Sequence, residues 1–318
     1  MDSITQAALG GAIGEAMLGK KVGNKGAVIG AIAATIPDLD VVLYLFIDPL
    51  NMLSIHRGFS HSIVFSVLAA VLTFLILRKM KWFHGVSSPL LFLFSFLCLF
   101  THILLDTFTA YGTQLLLPFS NIRLGLDSIN VVDPVYTVPL IIGLLLSLWI
   151  FRHKPNRSQF NKWGMIISTT YLMFTLVNKE RVTTYFTDAF SNEEIEYSSL
   201  LTMPVGIANL NWYGVAKTED SLYMKQYHTL GDGDFSTVSF PIHDEYLETI
   251  DNSLAEQMRW FAKGFYTVEK IDNGVRVYNL QVDMRGIVDL GGKKAPTVGY
   301  FEITEVDGVA RFSSGSLE

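Results

Sequence analysis

Residues 86–106 read VSSPLLFLFSFLCLFTHILLD, and this stretch decides what kind of chain it is. It is apolar almost throughout and close to the ~20 residues that cross a hydrocarbon core. It also ends on His102 and Asp106, four residues apart, so on a helix both leave the same face. An ionisable side chain at such depth costs roughly 2.5–3.5 kcal/mol on insertion scales and persists where it has a partner or a function. Comparable apolar runs cover about 4–19, 26–47, 62–77, 135–151 and 163–178. The first is rich in Ala and Gly and contains Glu15, so it fits a re-entrant or surface helix as well as a span.

Half of the 318 residues are hydrophobic and only 17% are charged, which is too apolar for an ordinary soluble enzyme. The net charge of -6 and the lack of a large basic cluster point away from nucleic acid. The single cysteine, Cys98, excludes an intrachain disulfide and a Cys-based zinc knuckle. A cleavable signal peptide is not expected, because Met1-Asp2-Ser3 carries no basic n-region.

Basic residues concentrate at Lys20, Lys21 and Lys25, at Arg78, Lys79 and Lys81, and at Arg152, Lys154, Arg157 and Lys162. The positive-inside tendency makes all three clusters cytoplasmic. They separate runs one and two, three and four, and five and six, so the alternation closes. The expectation is an α-helical polytopic membrane domain of about six spans over 1–179. The N-terminus, the 48–61 and 108–134 loops and everything after 179 would lie outside the cytoplasm.

On that topology the remaining ionisable motifs gather at the outer face. They are Pro37-Asp38-Leu39-Asp40 and His56-Arg57-Gly58-Phe59-Ser60-His61-Ser62, with His102 and Asp106. Imidazole and carboxylate together form a transition-metal ligand set, so His56, His61, His102, Asp106, Asp38 and Asp40 are the candidate ligands. Gly58 permits a tight turn, and Ser60 is a plausible N-cap that would place His61 in the first turn of the next helix. Arg57 offers a guanidinium fork for an anion or for charge developing in a transition state. Asp38 and Asp40, two apart, would diverge on an unbroken helix. Pro37 interrupts it, so either both face the cavity or one is a ligand and the other orients a histidine. The plainer alternatives are a His102–Asp106 hydrogen bond tying spans together, an interfacial loop meeting lipid headgroups, and acids capping a broken helix. Asp133-Pro134 reads as a helix start. No G-x-S-x-G or P-loop signature competes.

The start Met1-Asp2-Ser3-Ile4-Thr5-Gln6-Ala7-Ala8-Leu9-Gly10 and these motifs occur in one order with Tyr111-Gly112-Thr113 and Asp133-Pro134. As a series over 1–135 they resemble the YdjM-like membrane-bound metal-dependent hydrolases. The resemblance implies a bacterial inner-membrane protein, and a distant similarity to zinc-dependent phospholipase C and the S1/P1 nucleases would make the substrate a phosphate ester. Many relatives carry a histidine where this chain has Gln6, which leaves the number of metals open.

Beyond about 180 the pattern turns to short strands. Hairpins are expected at 211–216 with 222–227, at 266–269 with 275–278 around Asp272-Asn273-Gly274, and at 301–304 with 309–312 around Asp307-Gly308. A helix is expected over 244–262, from Leu247, Ile250, Leu254, Met258 and Phe261. Residues 180–318 thus read as a soluble, extracytoplasmic α+β domain, an antiparallel sheet with one packed helix that serves as a lid or interaction module. The functional expectation is a membrane-embedded hydrolase in which a divalent metal, zinc by default and manganese or iron as alternatives, acidifies water for attack on a lipid or lipid-linked phosphate ester. Arg57 would hold the anion, and a non-ligating Asp38 or Asp40 would accept the proton. The competing expectations are a scaffold with a structural metal or His–Asp network, and a proton or metal-ion transporter.

Overall fold

The computed structural model describes residues 1–47, 49–231, 235–250, 252–281, 286–289, 294–306 and 309–317. The chain divides into two compact units, Met1–Phe46 with Ile55–Leu176, and Ile47–Ser54 with Val177–Glu318.

The first unit is helical. Its elements are α1 (Ser3–Val22), α2 (Lys25–Ala34), a 3-10 stretch Pro37–Leu45, a 3-10 turn Phe59–His61, α4 (Ile63–Lys79), α5 (Ser88–Asp106) and α6 (Pro134–Leu145). A π-helical turn Leu146–Ile150 follows α6, and α7 (Arg157–Asn192) starts in this unit; α3 is the short helix Pro49–Ile55. Asp2 caps α1 through the Ile4 and Thr5 amides, and Asp133 caps α6 through Val135, the helix start read from Asp133-Pro134.

Glycines set how closely α1 and α2 pack. A Cβ at Gly14 would lie 2.1 Å from the Gly26 carbonyl oxygen, and one at Gly10 2.3 Å from that of Gly30. Only backbone fits at such a crossing, which is the small-residue logic of membrane helix pairs. A core of Ile13, Leu18, Ala33, Leu77, Leu91, Phe94 and Cys98 forms against this hairpin. The outward sides of α4, α6 and the start of α7 stay apolar, with Leu68, Leu72, Ile76, Val138, Ile142, Trp163 and Ile166 exposed. Sides of that kind suit a lipid surround.

Each of the six apolar runs becomes helical, but six spans do not follow from helix length. Among the described residues only α5 is long and apolar enough alone to cross a membrane. The number rises to three if two bent pairs count as single spans: α2 with Pro37–Leu45 (52°), and Asn51–His61 with α4 (56°). In α1, Gln6, Glu15 and its glycines dilute the apolar character, while α6 is only 12 residues long before the π turn.

The second unit is built on antiparallel sheets. β1 (Ser199–Val205), β2 (Asn211–Lys217), β3 (Ser221–His228) and β4 (Val238–Pro241) form a meander in that order. β5 (Tyr266–Ile271), β6 (Gly274–Asn279), β9 (Gly299–Val306) and β10 (Val309–Ser316) form a second sheet ordered β10-β9-β6-β5, and β7 (Val288–Asp289) pairs with β8 (Lys294–Ala295). All three expected hairpins form, as β2–β3, β5–β6 and β9–β10. The turn residues Asp307 and Gly308 lie outside the described residues. Two four-stranded sheets replace the single sheet expected. Val182, Phe186 and Phe190 of α7 pack with Trp212 and Ala216 of β2.

The helix expected over 244–262 is split. Asp244–Thr249 is a 3-10 segment, Ile250 is extended, and α8 runs Asn252–Ala262 with Ala255, Met258 and Phe261 buried. Arg259 donates to both carboxylate oxygens of Asp244 (3.0 and 2.9 Å) and draws the first piece back alongside the second.

Candidate metal centre

One end of the helical unit collects the ionisable motifs. Pro37 opens a 3-10 helix, and at about three residues per turn Asp38 and Asp40 still leave it in different directions. Asp38 turns inward to two histidines, with its Oδ1 3.4 Å from His61 Nε2 and 3.3 Å from His102 Nε2. Asp40 lies behind them. It accepts from Ser60 Oγ (2.8 Å) and the Arg57 amide (3.2 Å), and its Oδ1 is 3.1 Å from His56 Nδ1. Of the two arrangements open in the sequence, the structure takes the one with a facing acid and an orienting acid.

His61 sits in the 3-10 turn Phe59–His61 and not in α4, because Ser62 caps that helix by accepting from the Phe65 amide (3.0 Å). The capping role expected of Ser60 therefore falls to Ser62, and Ser60 serves the site. The left-handed residue of this loop is Arg57 (φ 56°), not Gly58 (φ −88°). A strained backbone at a non-glycine position costs about 1 kcal/mol or more and gathers at functional sites.

The last turns of α5 supply His102 and Asp106, both buried. His61 Nε2 is 3.2 Å from His102 Nε2 and 3.4 Å from Asp106 Oδ2, and His102 Nε2 is 3.7 Å from the same oxygen. Asp38, His61, His102 and Asp106 each place one donor atom within 4.8 Å of all the others. His56 and Asp40, expected among the ligands, stand one layer back as an imidazole–carboxylate pair.

The hydrogen bonds fix the tautomers. His102 Nδ1 lies 2.5 Å from the Ala34 carbonyl oxygen, so it carries the proton and Nε2 presents a lone pair. Ser60 gives its one hydroxyl proton to Asp40, so His61 Nδ1 (2.9 Å from Ser60 Oγ) donates to that oxygen and its Nε2 also presents a lone pair. With both rings neutral, two imidazole lone pairs and two carboxylate oxygens converge with no proton between them. Asp106 Oδ2 is buried and accepts no hydrogen bond from the described residues. A buried cluster of acceptors is costly unless a cation fills it. Ligands about 2.05 Å from a tetrahedral ion stand ~3.3 Å from each other, close to these spacings. The donor set therefore fits a divalent transition metal, with histidines oriented by a carbonyl and by a Ser–Asp relay in the usual supporting manner.

Other groups hold Asp106 in place. The Met1 amino group and Gln6 Nε2 (2.9 Å) donate to its Oδ1, and Gln6 Nε2 also lies 3.2 Å from the His102 carbonyl oxygen. Arg57 Nε is 3.4 Å from Asp106 Oδ2, while Nη1 donates to Thr109 Oγ1 (2.8 Å). Arg57 is thus buried against the site. Tyr111, part of the motif series, lies under its guanidinium at 4.8 Å. Ser60, Thr109 and Arg123 were not legible as site residues. Arg123 had one signal, a lone basic residue in a loop that the charge bias places outside the cytoplasm.

The opposite end of the helical unit carries Lys20, Lys21 and Arg152 with a separate polar cluster. There Glu15 accepts from Arg157 Nη2 (2.8 Å) and Ser147 Oγ (3.1 Å).

The family model described as YdjM inner membrane protein matches residues 1–182. The chain is 30% identical over 193 residues to the uncharacterized protein YfhP of Bacillus subtilis, a match covering 57% of this chain and 56% of that protein. It is 33% identical over 159 residues to the inner membrane protein YbcI of Escherichia coli, covering 46% of this chain and 90% of that one. The chain thus spans little more than half the length of the first of these relatives. No solved structure matches it, so a likeness to phospholipase C or the S1/P1 nucleases rests on the motif resemblance alone.

Proposed function

The chain belongs to the YdjM inner membrane protein family, and on that premise we propose that its helical unit is a metal-dependent hydrolase acting on a phosphate ester at the outer face of the membrane. One observation carries the reading: Asp38, His61, His102 and Asp106 each bring one donor atom within 4.8 Å of all the others in a largely buried site. Asp38, His61, His102 and Asp106 would hold the ion. Zinc is the default for such a set, with manganese and iron also suited to mixed imidazole and carboxylate ligands. Bound there, a divalent ion supplies Lewis acidity and brings the pKa of water towards ~7.

The chain's own residues do the rest. His56, backed by Asp40 at 3.1 Å, is the group placed to take a proton from attacking water, as a carboxylate-oriented imidazole does. Its side chain is 21% exposed and that of Asp38 19%, whereas His61, His102 and Asp106 are closed off, so substrate enters on the His56–Asp38 side. Arg57 pins Asp106 and keeps a positive charge where a phosphoryl group would build up negative charge. The apolar residues Leu39, Val42, Leu45 and Phe59 are exposed on the same segments, which favours a lipid or lipid-linked ester. The Lys and Arg bias favours an extracytoplasmic position for this end of the helical unit.

A second reading has one observation in its favour. Four protein donors with three fully closed off is also how structural metal sites are built. Metal analysis of detergent-purified protein beside His61→Ala, His102→Ala and His56→Gln separates the two, with phosphoesterase turnover measured on the same samples. Stoichiometric metal lost in the first two variants, with turnover lost alone in the third, supports the hydrolase. Full metal with no turnover on any phosphate ester leaves a structural clamp. Metal-free wild type that takes up none removes both readings.

A further inference from the structure

Beside the metal centre two guanidinium groups share one aromatic ring. Arg57 Cζ lies 4.8 Å and Arg123 Cζ 4.7 Å from the centroid of Tyr111, and each arginine is only 6% exposed. The backbone is folded to bring this about. The Gln114 amide donates to the Arg57 carbonyl (3.1 Å), and Thr113 and Leu124 pair through reciprocal amide bonds (2.8 and 2.9 Å). Arg123 Nη2 donates to the Tyr111 carbonyl, and the His56 ring meets Tyr111 edge-on at 5.6 Å.

Like charges buried together repel, and desolvation adds to the cost. Burial, partly offset by Tyr111 and reinforced by the charge of Arg57, pulls the Arg123 guanidinium down to about 10. The metal-centre carboxylates Asp38, Asp40 and Asp106 are engaged by His61, His102, His56 and Arg57. Two buried guanidinium groups therefore stand beside the place where a divalent ion would bind and an ester would react. An arginine fork matches a tetrahedral oxyanion by paired hydrogen bonds, and stacking on a ring fixes the fork in place.

We propose that Arg57 and Arg123, stacked on Tyr111, form a phosphate-binding subsite that seats the anionic group of the substrate, with Arg123 as its specificity-determining residue. This rests on the metal-centre reading. It adds Arg123 and Tyr111 to the site and commits the substrate to an anionic phosphate in place of a neutral ester. The phosphate can come from a lipid headgroup or from a soluble molecule, and the two sources share the same recognition.

The test is calorimetric binding to metal-loaded protein in maltoside detergent, with inorganic phosphate and short-chain phosphatidic acid as separate probes. Wild type is compared with Arg123→Gln and Arg123→Lys, and metal content is measured on every sample. The expected result is binding of at least one probe, weakened about tenfold or more by Arg123→Gln and less by Arg123→Lys, at unchanged metal content. Loss confined to phosphatidic acid assigns the lipid source, and equal loss of both assigns phosphate itself. Binding by Arg123→Gln equal to wild type overturns the subsite, as does wild type that binds neither probe. Should Arg123→Gln not fold, unaltered binding by Arg123→Lys overturns it equally, since a lysine lacks the fork. Wild type without metal defeats the metal reading separately. Arg123-dependent phosphate binding in that sample would still support the subsite, and its absence would overturn it.

Discussion

The two ends of the helical unit each bury a charged cluster, and they differ in completeness. At the end bearing Lys20 and Arg152, Glu15 meets Arg157 and Ser147, so charge is matched and the carboxylate is hydrogen-bonded. At the other end two imidazole nitrogens and two carboxylate oxygens face one another, and Asp106 Oδ2 accepts no hydrogen bond from the described residues. A matched cluster needs nothing further and works as a structural tie. An unmatched one persists only if something else completes it. The contrast locates function more reliably than burial or charge alone, because both ends are buried and both are charged.

The sharpest way to break the contrast is to remove a donor from each end. His61→Ala or His102→Ala should lower metal occupancy to below about a tenth of wild type, while Glu15→Ala leaves it unchanged. Elemental analysis of the purified proteins reads this directly, and an occupancy that falls equally in all three would erase the distinction. The complementary loss is in stability. Glu15→Ala strands the Arg157 charge and should cost about 3 kcal/mol in detergent unfolding, and replacing Glu15 and Arg157 together by methionine should recover most of it.

A smaller effect separates layers within the metal end. His56→Gln should keep the metal and lower turnover about a hundredfold, since the residue stands behind the donors and not among them. Loss of metal in that variant would move His56 into the ligand set.

The smallest effect lies in the second unit, where charges meet at the surface. Burial of Asp244 opposes ionisation, but hydrogen bonds from Arg259 and Tyr266 outweigh it and hold the carboxyl below the usual carboxylate range. A depressed folded value means the stabilisation is present above the unfolded value of ~3.9 and fades as pH falls through the folded one. Because the pair is part-exposed, Asp244→Asn should cost under about 1 kcal/mol at pH 7. Urea unfolding at pH 7 and pH 3 should show the difference between wild type and variant shrinking at the lower pH. A difference that grows instead would mean that Asp244 does more than pair with Arg259.

Much of this was legible before the fold. The four donors all lie in motifs that local sequence singles out, because an ionisable residue in an apolar run is conspicuous against its surroundings. His102 and Asp106 could be placed on one face from helical period alone. The hairpins could be read because turn chemistry is local, as at Asp272-Asn273-Gly274. Local pattern failed where competition between partners decides. Ser60 and Ser62 are equally good caps, and Asp40 takes the first by accepting its proton, leaving the second to α4. The regular spacing over 244–262 reads as one helix, yet the hold of Arg259 on Asp244 folds it into two pieces.

By itself the sequence determined that this chain has an apolar helical part rich in buried His and Asp, followed by a polar part of hairpins. Those features follow from hydrophobic period and turn residues, which each segment carries alone. Only the tertiary structure decided that Asp38 and not Asp40 joins His61, His102 and Asp106, that both histidines turn Nε2 inward, and that Arg123 comes to lie over Tyr111. Those outcomes depend on proton donors and acceptors from different segments, such as Ala34 with His102 and Ser60 with Asp40, and on which of several partners each group finds when the helices pack.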